Sequence, residues 1–200
     1  MKTITPFDWL VDDRFTPAQV SLILAAGTDL ESWLNLAAGI PGLDWIRRHT
    51  GGARVHRGGL FTQIAARVTK SPISLVLPYR DIWLAENFDT FYQPKRHFLH
   101  ELGHVVENRL PKATFLPPTI FGGGASDRLT CYLGGKPSGL RYANGNSGIP
   151  DRYRWHGAGS YGNNSTADYF AEAFSWLPYD LDALPDLMVA DWFISEIFTN

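Results

Sequence analysis

Residues 100 to 104 read His-Glu-Leu-Gly-His, and this short run is where the chain has the means to do chemistry. Residues four apart on a helix lie one above the other on the same face, so the imidazoles of His100 and His104 can converge on one ion at ~2.0–2.1 Å. Glu101 sits one residue round the helix from His100, near enough to touch a metal-bound water without taking a coordination position. A zinc ion with an open position lowers the pKa of that water toward ~7, and Glu101 can accept the proton as the water attacks a carbonyl. In a chain with this histidine and glutamate content, the pattern arises by chance only about half a percent of the time.

A catalytic zinc needs a third protein ligand. The stretch from Thr166 to Phe174 supplies Asp168 and Glu172, four residues apart and so on one helical face. One carboxylate can bind the metal while the other orients a ligand histidine by accepting its remaining N–H. Their surround of Tyr169, Phe170, Ala171, Ala173, Phe174 and Trp176 is almost wholly apolar. Buried carboxylates need partners, and a metal centre provides one.

The elements that must position these residues are legible in outline, and they predict an α+β fold with a small mixed sheet. Thr16-Pro17 starts a helix whose apolar positions recur to Gly27. Thr28 and Glu31 form a capping box for a second helix that ends at Gly39. A short helix is expected at Leu43 to Arg48, with strands at Ala53 to His56 and Ile73 to Leu77. Pro94 opens the helix carrying His100, and Pro111 forbids its continuation past Leu110. Phe98, Leu99, Leu102, Val105 and Val106 would anchor that helix in the core. Between Phe121 and Asn164 lie 11 of the 19 glycines, which read as loops with one short strand near Leu129 to Leu133. The helix bearing Asp168 runs from Thr166 to Leu177, and a last one from Pro185 to Phe198 turns Leu187, Trp192 and Ile194 into the core. At 200 residues the expectation is one domain over 1–200, with a helical N-terminal segment over residues 1–50 and a metal-binding core from about 51 onward.

Composition and local patterns argue against several other functions. A formal net charge of −2 gives no basic field to hold nucleic acid or an anionic membrane surface. The single cysteine, Cys131, excludes an intrachain disulfide framework and thiolate-bound zinc, and is expected to be a buried small hydrophobe. Gly122-Gly123-Gly124-Ala125-Ser126 lacks the Gly-Lys-Ser/Thr ending of a phosphate loop. No apolar run is long enough for a membrane span, and Met1 to Leu10 lacks the pattern of a secretory signal. The reading is a soluble protein, cytoplasmic or exported by a signal-less route, and monomeric by default.

Ser160-Tyr161-Gly162, followed by Asn163 to Ala167 and then Asp168-Tyr169-Phe170-Ala171-Glu172-Ala173-Phe174, resembles the third-ligand region of the anthrax lethal factor type of zinc peptidase, a branch of the gluzincins. Together with the His100 helix, the resemblance spans about a tenth of the chain, and both motifs occur in the family's order. It implies a zincin-like metallopeptidase domain with an active-site helix, a third-ligand helix and one Zn2+, cleaving a peptide or protein substrate. It puts the metal-binding carboxylate on Asp168, the supporting one on Glu172, and on Tyr161 a phenol that hydrogen-bonds a developing oxyanion or protonates the leaving amine. The family has Glu where this chain has Asp168, one methylene shorter. Either the ligand helix approaches more closely or Glu172 binds and Asp168 supports. The strand at Ile73 to Leu77 is expected to pair with extended substrate, as edge strands of zinc peptidases commonly do.

Other features have plainer readings. His97 lines the cleft or is an exposed first-turn histidine, and the Arg152 to His156 cluster is a salt-bridging or stacking surface or, through His156, rims the cleft. Arg47-Arg48-His49 reads as a salt-bridging or stacking surface. Two alternatives to a general peptidase stand beside the enzyme reading: a catalytically inactive zincin-fold binding module, and a protease specific for one partner protein, as toxins and processing enzymes are.

Overall fold

The computed structural model describes residues 1–59, 75–77, 81–110, 124–136, 148–156 and 160–199, with 75–77 and 160–161 described as backbone only. The chain is α+β. Its contacts fall into two compact units, Met1–Val105 and Val106–Asn200, and the division lies within one helix, Pro94–Arg109, which contributes to both.

The first unit holds a five-stranded mixed sheet. Strands β1 (Lys2–Ile4) and β2 (Trp9–Val11) form an antiparallel pair that local sequence patterns do not announce. They are three residues each, too short for alternation to stand out. β3 (Arg54–Arg57) lies parallel to β2, and β5 (Asp81–Leu84) parallel to β3. β4 (Leu75–Leu77) pairs antiparallel with β5 and ends the order β1-β2-β3-β5-β4, within the strand expected at Ile73 to Leu77. Val11, Val55 and Ile82 are register partners across three strands and all are fully buried, so one apolar row runs across the pleat.

Two helices make the β2 to β3 crossover that a parallel pair requires. In α1 (Pro17–Trp33), Thr16 and Gln19 close a reciprocal capping box, and the Gln19 amide also reaches the Glu86 carbonyl and Asp89. The expected break at Gly27 does not occur. α1 runs straight through it, and the Thr28 hydroxyl donates back to the Leu24 carbonyl rather than capping a new helix. Gly27 is there for space: a β-carbon on it would lie 2.5 Å from Phe7 and 2.8 Å from Trp9, whose rings stack on each other. The helix widens into a π-helical turn at Leu34–Ala38 and stops at Gly39, whose φ of +67° is left-handed. α2 (Gly42–Thr50) follows, longer than expected, and receives the Trp9 indole N–H on the Thr50 hydroxyl. Its Arg47 pairs with Asp8 at 3.3 Å, the salt bridge expected of that basic cluster, and bonds the Pro6 carbonyl, whereas His49 stacks on Trp45 in a buried position rather than on a surface.

Helix α3 (Pro94–Arg109) has the bounds that its prolines dictate. Phe98, Leu99, Leu102, Val105 and Val106 are all fully buried, and Phe98 meets Trp9 edge-on at 5.3 Å. Burial of each such side chain contributes roughly 1.5–3 kcal/mol. Lys95 ties the first turn to Asp29 of α1.

The second unit is helical among its described residues. Where loops and a strand near Leu129 to Leu133 were expected, the chain forms α4 (Ala125–Tyr132). Ala125, Leu129 and Leu133 recur every four residues and are buried, a helical stripe that a five-residue strand reading cannot separate from alternation. Cys131 falls off that stripe and is exposed, not buried as expected. Of the other glycines in that window, Gly122, Gly123, Gly139, Gly145, Gly157 and Gly159 lie outside the described residues. α5 (Thr166–Trp176) packs on α4, and α6 (Leu187–Trp192) continues as a π-helical turn, Phe193–Phe198. Asp186 caps α6, so the helix starts two residues later than Pro185. Leu187 is then exposed, and Val189, Trp192, Phe193 and Ile197 form the buried face. Phe193 meets Phe170 of α5 at 4.8 Å. No helix among the described residues is long and apolar enough to cross a membrane.

Candidate metal centre

His100 and His104 lie one turn apart on α3, their rings edge-on with centroids 5.0 Å apart. Both are 7% exposed and Glu101 is 5% exposed. Three polar side chains are therefore buried side by side on a helix whose other buried residues, Glu107 apart, are apolar or glycine. Such groups are stable in an interior only when partnered.

Asp168 stands in the first turn of α5, half-buried, and its carboxylate is held by the residue that starts the helix. The Ser165 hydroxyl accepts the Asp168 backbone N–H at 3.0 Å, the ordinary N-cap bond, and donates its own hydrogen to Asp168 Oδ2 at 2.7 Å. One ligand atom from each of His100, His104 and Asp168 lies within 4.8 Å of the others. Tetrahedral ligand atoms ~2.0–2.1 Å from zinc stand about 3.3 Å apart, a spacing with which this group is compatible. Two imidazole nitrogens and one carboxylate oxygen are also the donor types that zinc takes in open, catalytic sites. The group is compatible with a metal site.

Glu172 lies one turn further along α5 and is 4% exposed, outside that group of three. Its stem is covered by a short 3-10 turn, Ser160–Asn163, at Gly162. A β-carbon on Gly162 would lie 2.9 Å from Glu172 Cβ and 3.1 Å from the Trp155 ring. The Asn163 side chain fixes the turn from its other end, accepting the Trp155 N–H at 3.1 Å and donating to the Trp155 carbonyl at 2.9 Å. Trp155 is in turn held by its indole N–H on the Ala183 carbonyl and by a ring contact with Tyr169 at 4.6 Å. Burial pushes the Tyr169 phenol far above its ordinary pKa, with the nearby Asp186 adding to the rise. It therefore stays protonated and donates to the Tyr153 carbonyl at 2.8 Å. Tyr161 belongs to this turn, and its side chain lies outside the described residues.

His97 is half-buried in the first turn of α3 against the edge of Phe91, with centroids 5.0 Å apart, and His156 is exposed. Arg152 of the same cluster lies 4.6 Å over the Tyr153 ring.

Three residues around the centre escaped sequence reasoning. Ser165 carried a signal, since Ser-x-x-Asp ahead of an apolar run is a helix start whose side chains bond each other. Asn163 carried none, because its partners are backbone groups eight residues away. Glu107, one turn beyond His104, is fully buried with Oε1 at 3.4 Å from where a Gly124 β-carbon would be, beside the N-cap of α4. A carboxylate there is favoured by the helix dipole. No family model matches the chain, and neither curated proteins nor solved structures compared with it give a match.

Proposed function

We propose that this protein is a zinc-dependent metallopeptidase of the zincin type, in which His100, His104 and Asp168 hold one zinc ion and Glu101 is the general base. The observation that carries the reading is the approach of the three donor atoms to within 4.8 Å, on the two helices whose sequences carry the metal-binding patterns. Zinc, when bound, supplies a Lewis acid that polarises a peptide carbonyl and makes water acidic near neutral pH. Glu101 follows His100 directly, and as a buried carboxylate it is suited to take a proton from the attacking water and pass it to the leaving amine. Asp168 rather than Glu172 is the third ligand: Asp168 is in the donor group, whereas the Glu172 stem is packed beneath Gly162 and its carboxylate supports the site. Tyr161, on the clamped turn, is the oxyanion donor. β4 ends the sheet among the described strands, and an extended substrate adding to that edge is the expected mode of peptide binding.

The test is zinc content and peptide hydrolysis of the native chain and of Glu101→Gln. The reading holds if native protein carries zinc and cleaves peptides while the variant keeps the metal and loses cleavage. It fails if native protein has neither bound metal nor metal-dependent cleavage of a broad peptide library. Metal bound without cleavage by native protein favours the inactive binding module instead.

A further inference from the structure

We infer that Ser165 is a positioning residue for the metal: its hydroxyl fixes the Asp168 carboxylate in the orientation in which this short side chain reaches the ion. The inference rests on the reading of Asp168 as a zinc ligand, and its structural basis lies wholly within α5 and the residue that caps it. A serine hydroxyl has one hydrogen and two lone pairs. Here the hydrogen goes to Asp168 Oδ2 at 2.7 Å while a lone pair accepts the Asp168 N–H at 3.0 Å. An ordinary N-cap serine needs only the second bond. The first spends the hydroxyl hydrogen on a carboxylate oxygen, and the two bonds together close a ring through the Asp168 backbone and side chain that selects one rotamer.

That ring matters because aspartate has little reach. Zinc–oxygen distances are fixed near ~2.0–2.2 Å, so a carboxylate one methylene shorter than glutamate has fewer rotamers that bring an oxygen to the ion. A hydrogen bond to Oδ2 removes the unproductive ones before the metal arrives. Ser165 is itself only 1% exposed, so water does not compete for the contact. The pairing is also specific to aspartate. A glutamate at position 168 would carry its oxygens one bond further from the cap and would lose this ring.

The test is zinc affinity, measured by competition with a chromophoric chelator on metal-stripped full-length protein, together with the thermal midpoint of the metal-free form. Ser165→Ala and Ser165→Gly are expected to weaken zinc binding about 10–100-fold, the usual effect of removing a group that holds a metal ligand. Ser165→Thr, which keeps the hydroxyl, is expected to stay within a few-fold of wild type. Glycine caps helices nearly as well as serine, so Ser165→Gly separates the metal role from helix capping even if Ser165→Ala folds poorly. Wild-type affinity in Ser165→Gly, or weakening in Ser165→Ala alone, overturns the inference and leaves Ser165 a plain N-cap. If wild-type protein binds no zinc, or if Asp168→Asn binds it as tightly as wild type, the underlying assignment of the ligand fails instead and takes the inference with it.

Discussion

Gly162 and Glu172 approach so closely that a β-carbon on the glycine would stand 2.9 Å from Glu172 Cβ, closer than such atoms sit in proteins. The turn that carries Tyr161 is thus seated directly on the helix that carries Asp168 and Glu172, and the absence of one side chain is what permits it. Gly162→Ala is expected to destabilise the fold by about 1–3 kcal/mol, as overpacking does, because Trp155 closes the other side at 3.1 Å and neither neighbour has room to yield. Thermal unfolding measures the loss. In a cleaving enzyme the same variant should lower kcat more than it raises KM, since the turn would shift the phenol and leave the substrate edge intact.

Glu101→Gln preserves shape and removes the proposed base. Zinc content should remain at about one ion per chain, while peptide hydrolysis falls on the order of 10²–10⁴-fold, the usual contribution of a positioned base. Metal analysis beside a fluorogenic peptide assay reads both.

The ligand assignment separates Asp168 from Glu172. Asp168→Asn should lose stoichiometric zinc after dialysis against a moderate chelator, and Glu172→Gln should keep it with an affinity lowered about 10–100-fold. The reverse pattern would make Glu172 the ligand.

Gly27→Ala tests the packing of the first unit. Alanine is the better helix former by about 1 kcal/mol. Here its methyl would strike Phe7 and Trp9, at 2.5 and 2.8 Å, so the variant should be less stable in spite of that gain, with zinc affinity unchanged. A higher thermal midpoint in the variant would contradict the packing.

Acid should weaken the first unit through Asp12. The Arg14 guanidinium bonds its carboxylate and holds it at about 2, below the ordinary 3.8, so the ionised form is favoured in the folded state. The resulting stability is fully present above about pH 4 and disappears as pH falls through about 2. Asp12→Asn should therefore have a lower thermal midpoint than wild type at pH 6, a gap that closes between about pH 4 and pH 2.

The sequence alone determined what depends on neighbours along the chain. Pro94 and Pro111 set the bounds of α3, the His100/His104 spacing put two imidazoles on one face, and the flanking apolar residues gave the helix its buried side. It failed where a residue's role is set by something distant. Gly27 reads locally as a helix end, but the rings of Phe7 and Trp9 make it a packing site inside α1. Leu129 to Leu133 reads equally as strand or helix, and contact with α5 decides for helix. The candidate site divides the same way. Histidine and carboxylate spacing was legible because helical geometry is periodic. The hold of Ser165 on Asp168 Oδ2, the seat of Gly162 on Glu172 and the clamp of Asn163 on Trp155 were not. They depend on which rotamers and which loop segments meet in three dimensions, and no periodicity encodes that.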